Sequence, residues 1–205
     1  MPTILAIETS TRTGSVALAR DGVVLSEASF IAERSHNAQI FAPLRALLEG
    51  SKKIEGILVG VGPGSYTGVR IGIACGLGLS LARGVPFGGM PSVCALDEEV
   101  GYWVIGDARR GKFFRCRVEG GHLRGAPVLS DQSQLSELSD ESVFTFDDHP
   151  PIPGARVAVP SAGVLARRGS LLPPEEFASL GEKPIEPIYL APAFVTTPRK
   201  PGKRL

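Results

Sequence analysis

The chain has 205 residues, 43% of them hydrophobic, with 22 lysines and arginines against 21 acids. That length and apolar content suffice for one large domain or two small lobes with real cores. The near-balance of charge excludes both a global basic field for nucleic acid and an acidic excess that would keep the chain unfolded.

The first residues, MPTILAIETS, carry no basic run and reach Glu8 after a short apolar stretch, which is not the pattern of a signal peptide. The longest apolar run, Val69 to Ala82, contains Arg70 and is too short to span a bilayer. Cys75, Cys94 and Cys116 are odd in number and far apart, which favours reduced thiols over a disulfide framework. A soluble cytoplasmic protein with no membrane association is expected.

Three strands are predicted in the first thirty residues. ILAIETS reads as a buried strand, SVALAR follows Gly14, and Asp21-Gly22 signals a hairpin before VVLSEASF. In SHNAQIFAPLRALLEG, the residues Ile40, Phe41, Leu44, Leu47 and Leu48 make one face of an amphipathic helix that stops at Gly50. Pro43 conflicts with that helix and implies a kink or a first turn that is not α-helical. GILVGV is a strand buried on both faces, and GVGPGSYTG leads into a second helix over Thr67 to Arg83.

Further on, PSVCALDEEV predicts a short helix with Pro91 at its start. YWVIGDARRGKFFRCRVEGG predicts two strands joined through Arg109 to Gly111. Residues 121–156 carry little signal, whereas RVAVPSAGVLARRG predicts a strand, a cap at Ser161 and a short helix. The tail TTPRKPGKRL holds four basic residues, two prolines and no acid, and is expected to be disordered. The organisation expected is an α/β lobe over 1–100, a smaller second lobe over 101–195 and a basic tail over 196–205.

Projected at about 100° per residue, the second helix has two small rows on nearly opposite sides. One is Gly68, Gly72, Gly76 and Ser80; the other is Arg70, Ala74, Gly78 and Ala82. No side is polar except at the ends, so the helix should be covered all round. Interior glycines cost nearly 1 kcal/mol each relative to alanine, a loss that close backbone approach would offset. Both small sides could be filled within the chain; alternatively one of them, beside the first helix's apolar stripe, packs against another subunit.

Candidate chemistry is sparse. GVGPGSYTG lacks the lysine of a Walker loop and the acid of a dinucleotide fingerprint, which leaves Gly62, Gly64, Ser65 and Thr67 as a candidate ligand loop through backbone N–H groups. Glu8 and Asp107 are strand-end acids that could flank a metal between lobes, or, for Asp107, bond turn N–H groups and Arg109. His36 has Ile40, not a second histidine, four residues on, so no pair has metal-ligand spacing. No serine or cysteine has an activating neighbour in the sequence. Neither a catalytic set nor a metal site is predicted.

Taken in order, ILAIETSTRTGSVAL, RSHNAQIFAPLRALL, GVGPGSYTGVRIGIACGLGL and YWVIGDARRGKFF closely resemble the bacterial TsaB (YeaZ) family. PIEPIYLAPAFV resembles that family's C-terminal Tyr-Leu stretch, with Ala191 where arginine is common. The resemblance implies an actin/sugar-kinase-like (ASKHA) fold of two related lobes, the second shortened. It also implies a non-catalytic subunit that pairs with the catalytic subunit TsaD in threonylcarbamoylation of adenosine 37 of tRNA. A TsaE-like ATPase assists, and ATP belongs to the assembled complex rather than to the isolated chain. TsaD carries a His-x-x-x-His metal pair that the stretch His36 to Ile40 lacks. The family's pairing surface uses its first two helices, mapping here onto Ile40, Leu44, Leu47, Leu48, Gly72, Gly76 and Ser80, with a homodimer expected in isolation. The alternative expectation is a nucleotide-binding phosphotransferase or a glycoprotease-type metallopeptidase.

Overall fold

The computed structural model describes residues 2–32, 39–50, 53–138 and 141–190. The first sheet is built from β1 (Thr3–Glu8), β2 (Thr13–Arg20), β3 (Val23–Ile31), β4 (Gly56–Gly60) and β5 (Phe87–Met90), in the order β3-β2-β1-β4-β5. β1 pairs antiparallel with β2 and parallel with β4. β2–β3 is antiparallel and β4–β5 parallel. The hairpin after β2 turns on Asp21 (φ 52°) and Gly22 (φ 74°), the two left-handed positions that an Asp-Gly turn supplies.

All six residues of β1 are buried, because helices cover both faces of the sheet. Side chains alternate: Leu5 and Ile7 join one core with α1 (Phe41–Gly50), while Ile4 and Ala6 join a second core on the opposite face. Pro43 lies in the first turn of α1, where a missing N–H leaves no bond unmade. That location removes the conflict. α2 (Tyr66–Arg83) lies beside α1 and packs on β4 and β1.

The second sheet repeats the scheme. Its strands are β6 (Tyr102–Arg109), β7 (Lys112–Glu119), β8 (His122–Ser130), β9 (Val143–Thr145) and β10 (Arg156–Val157), in the order β8-β7-β6-β9-β10. Again the first strand pairs antiparallel with the second and parallel with the fourth. Two sheets with one strand order and one pattern of directions define the two-lobed ASKHA architecture. Arg109, Arg110 and Gly111, all at positive φ, turn the β6–β7 hairpin at the predicted place. The weakly signalled stretch forms β8, a short helix α3 (Gln132–Ser136) and β9.

Two expectations are corrected, and one strand is added. PSVCALDEEV forms only a 3-10 turn over Ser92–Cys94, with i→i+3 bonds from Cys94 N–H to Pro91 O and from Ala95 N–H to Ser92 O. Ahead of it, FGGM is an unpredicted strand, β5. Finally, the unit expected over 101–195 does not stay together. Helices α4 (Ala162–Leu171) and α5 (Pro174–Ser179) return to the first sheet, where Ala162, Leu165, Ala166 and Phe177 complete the second core. Ser161 caps α4 as predicted, accepting the Val164 N–H at 3.2 Å, and Ala162 N–H donates to Ser15 Oγ at 2.8 Å. Those bonds and the small apolar face of α4 explain the return. The basic tail lies outside the described residues. Among the described residues no helix is long and apolar enough to cross a membrane.

Candidate functional site

Two features stand out around α2: its outward face and the cleft at its N-terminus. The helix is tightly fixed. Ser65 caps it, accepting the Gly68 N–H at 3.2 Å, and Gly84 (φ 63°) ends it with its N–H on Ser80 O at 2.8 Å.

The two small rows have opposite environments. A Cβ on Gly76 would meet Val59 Cγ1 at 2.6 Å and Phe87 at 2.7 Å, and one on Gly72 would strike Thr9 Oγ1. This row lies flush against the chain's own sheet. On the other side, a Cβ on Gly78 would meet nothing among the described residues within 4 Å. There Ala74, Gly78 and Ala82 are exposed, with Leu77 45% and Leu81 74% exposed. Phe41, at the start of α1, is 59% exposed. Between the two helices runs a groove of about 780 Å³, lined by Phe41, Leu48, Ala74, Cys75, Gly78 and Leu79 among others.

The predicted interface residues therefore divide. Ile40, Leu44 and Leu47 are buried in the first-lobe core, and Gly72 and Gly76 are buried against the sheet. Ser80 Oγ donates to Val85 O at 2.7 Å and closes the end of the helix. Leu48, half-buried, lines the groove, as does the edge of Leu44. The residues that face outward are Phe41, Ala74, Leu77, Gly78 and Leu81. Periodicity found both small rows, but it holds no information on which one meets the sheet.

The cleft, about 480 Å³, lies between the lobes. Ser10, Arg12, Gly64, Ser65 and Thr67 line one wall, and Asp107, Arg109 and Asp147 line the other. Within the candidate ligand loop, Gly62 is buried (φ 88°) and its N–H donates to Ser92 Oγ at 3.0 Å. Ser65 N–H donates to Ser10 O at 2.6 Å. Two of the loop's N–H groups are thus spent inside the chain, while Gly64 and Thr67 are exposed.

The strand-end acids are not brought together. Glu8 is wholly buried below the loop; its Oε1 accepts the Ser10 N–H at 2.6 Å. Burial pushes the Glu8 carboxyl above its ordinary value. The Ser10 and Ser92 hydroxyls and nearby N–H groups pull the other way without offsetting it. Asp107 accepts the Arg109 N–H at 2.7 Å and faces the Arg109 guanidinium at 3.5 Å, the turn-bonding role. Asp147 accepts the Asp107 N–H at 2.7 Å. His36 lies outside the described residues. Cys94 and Cys116 are buried free thiols, pushed by burial to about 11 and about 12.

Fold and site define a two-lobed ASKHA protein with an apolar helical face open on one lobe. The family model described as "TsaD: tRNA N6-adenosine threonylcarbamoyltransferase" matches residues 15–122, just over half of the chain. The chain is 32% identical over 142 residues to the tRNA threonylcarbamoyladenosine biosynthesis protein TsaB of Bacillus subtilis, covering 65% of this chain and 62% of that protein. It is 36% identical over 111 residues to the protein of the same name from Escherichia coli, covering 52% of this chain and 47% of that one. The matched stretch thus spans between about half and under two thirds of the length of these curated relatives. The solved structure of YeaZ from Pseudomonas aeruginosa superposes with a TM-score of 0.69 at 24% identity, over 93% of this chain and all of that one. The chain belongs to this TsaD-type family, in its TsaB (YeaZ) group.

Proposed function

We propose that this chain is a non-catalytic partner subunit in the formation of threonylcarbamoyladenosine on tRNA. It binds a TsaD-like catalytic subunit through the outward face of α1 and α2, and so supports threonylcarbamoylation of adenosine 37. A TsaE-like ATPase and tRNA meet it in the larger cytoplasmic complex.

The reading rests above all on Gly78. An interior glycine costs about 1 kcal/mol relative to alanine, and among the described residues nothing fills the space beside it. Apolar side chains exposed around it are what a second helix would cover. The names of the relatives supply the pathway. Ile40 adds support: where the resemblance puts TsaD's second metal histidine, this chain has an isoleucine buried in its core.

A phosphotransferase using the inter-lobe cleft is the rival reading. It is disfavoured because Glu8 is buried away from the cleft and Asp107 is held by its own turn. The test is reconstitution. Mixed with TsaD, the chain should co-elute as one complex and be required for tRNA threonylcarbamoylation, while the chain without TsaD shows no transfer. Separate elution, transfer undiminished when the chain is omitted, or tight ATP binding by the isolated chain in calorimetry would overturn the proposal.

A further inference from the structure

After α5 the chain runs as a strap past the edge of the first sheet and onto the cleft. Ile185 packs close on Gly89 of β5, and the Ile188 N–H donates to Val61 O at 2.8 Å. Ile188 packs against the first-lobe core, whereas Leu190 packs against the second-lobe core and lines the cleft. Between them Tyr189 sets its ring against Tyr66, the first residue of α2, with centroids 5.7 Å apart. Tyr66 is fixed in turn, since its hydroxyl accepts from Arg70 at 2.6 Å. Tyr189 is thus backed by a held ring, yet it stays 50% exposed.

Beyond Leu190 the sequence continues with Arg199, Lys200, Lys203 and Arg204 and no acid. These four hold the whole basic surplus: without them, 18 lysines and arginines stand against 21 acids. A polyanion is therefore opposed by the net charge of the rest of the chain and attracted by this stretch. The chain from Tyr189 to Arg199 spans at most about 35 Å, so one extended ligand can meet the ring and the cations together. Cations alone would accept any polyanion. The exposed ring narrows the class, because a nucleic-acid base has a π-face to stack on it.

We propose that this part of the chain contacts RNA directly: an unpaired base stacks on Tyr189, and Arg199, Lys200, Lys203 and Arg204 neutralise phosphates of the same strand. The RNA is the tRNA of the proposed function, so the inference rests on that reading and adds to it a contact made by this subunit itself. The strap sets where the contact forms. Because Ile188 and Leu190 are held in different lobes, the ring between them stays at the rim of the cleft, beside the start of α2. A ring already backed by Tyr66 loses little freedom on stacking, and the tether keeps the weak phosphate contacts at high effective concentration.

The experiment measures binding of unmodified tRNA to the complex of this chain with TsaD across a salt series, with heparin as a polyanion that has no bases. In R199Q/K200Q/K203Q/R204Q, which keeps the chain length, the slope of log affinity against log salt should fall by about three, as four single-strand phosphate contacts require. Y189L keeps an apolar side chain against Tyr66 but no aromatic face; it should weaken tRNA binding about tenfold with the slope unchanged. Y189F should stay within about threefold of wild type, and heparin should bind Y189L as it binds wild type. All variants should still co-elute with TsaD. An unchanged slope in the quadruple variant, wild-type tRNA affinity in Y189L, or equal loss of heparin and tRNA binding in Y189L would overturn the RNA contact. Failure of the wild-type chain to co-elute with TsaD would instead overturn the pairing on which it rests.

Discussion

At the scale of single residues, Gly76 and Gly78 are the informative pair. They are two positions apart on one helix, yet one is enclosed by Val59 and Phe87 while the other faces open space. Gly78→Ala should therefore stabilise the isolated chain by about 0.5–1 kcal/mol, read as a raised midpoint in thermal or urea unfolding. Gly76→Ala should destabilise it by about 1–3 kcal/mol, because its methyl group overpacks the helix–sheet contact. Equal effects of the two changes would contradict the assigned faces. Glu8 gives a second residue-scale prediction, and its sign is unusual for an acid. Its folded pKa is raised, so the folded chain holds a proton that the unfolded chain has released. The stability this contributes is full below the ordinary carboxylate value and is lost as pH rises through the raised one. E8Q keeps an oxygen for the Ser10 N–H and cannot ionise. Its stability advantage over wild type, followed by thermal unfolding against pH, should be smallest in acid and grow through that window. A constant difference at every pH would count against a buried, proton-holding Glu8.

Elements were legible where local chemistry fixes them. The Asp21-Gly22 turn placed β2 and β3, and Ser161 marked where α4 begins, whereas Ser65, expected in a ligand loop, is the cap of α2. β5 was not legible, because Phe87–Met90 contains two glycines and strand propensity is low. Its order comes from parallel pairing with β4 and from Leu180 and Ile185 packed close on Gly88 and Gly89. The helix predicted after Pro91 failed for a related reason. Tertiary contacts bury Val93, Cys94 and Leu96 in the second-lobe core and pull the chain out of helical register after one turn. For the site, the sequence announced an apolar helix with two small sides; only the fold decides which side the sheet takes. Cys75 turns this into a measurement, because it lines the groove while Cys94 and Cys116 are buried. A thiol reagent should modify Cys75 alone in the native chain, slowly because burial raises its pKa, and more slowly still once TsaD covers the groove. Unchanged labelling on complex formation would place the partner elsewhere.

At the scale of the whole molecule, the chain builds one five-stranded scheme twice and uses the copies differently. The first sheet is covered on both faces, by α1 and α2 on one side and by α4 and α5 on the other, so its helices form a rigid layer with a free outer surface. The second sheet closes the cleft with turns whose carboxylates satisfy their own backbone. Such a division puts exposed apolar side chains, Phe41, Leu77 and Leu81 among them, on the helical layer, the surface where the proposed docking of TsaD falls. The most direct test is the affinity of TsaD for Gly78→Leu, with circular dichroism and unfolding as controls for the fold. A side chain on the open face should leave the isolated chain folded and weaken TsaD binding tenfold or more, in line with an overpacking cost of about 1–3 kcal/mol at a closely packed seam. Wild-type affinity in that variant would contradict the docking of TsaD on this face.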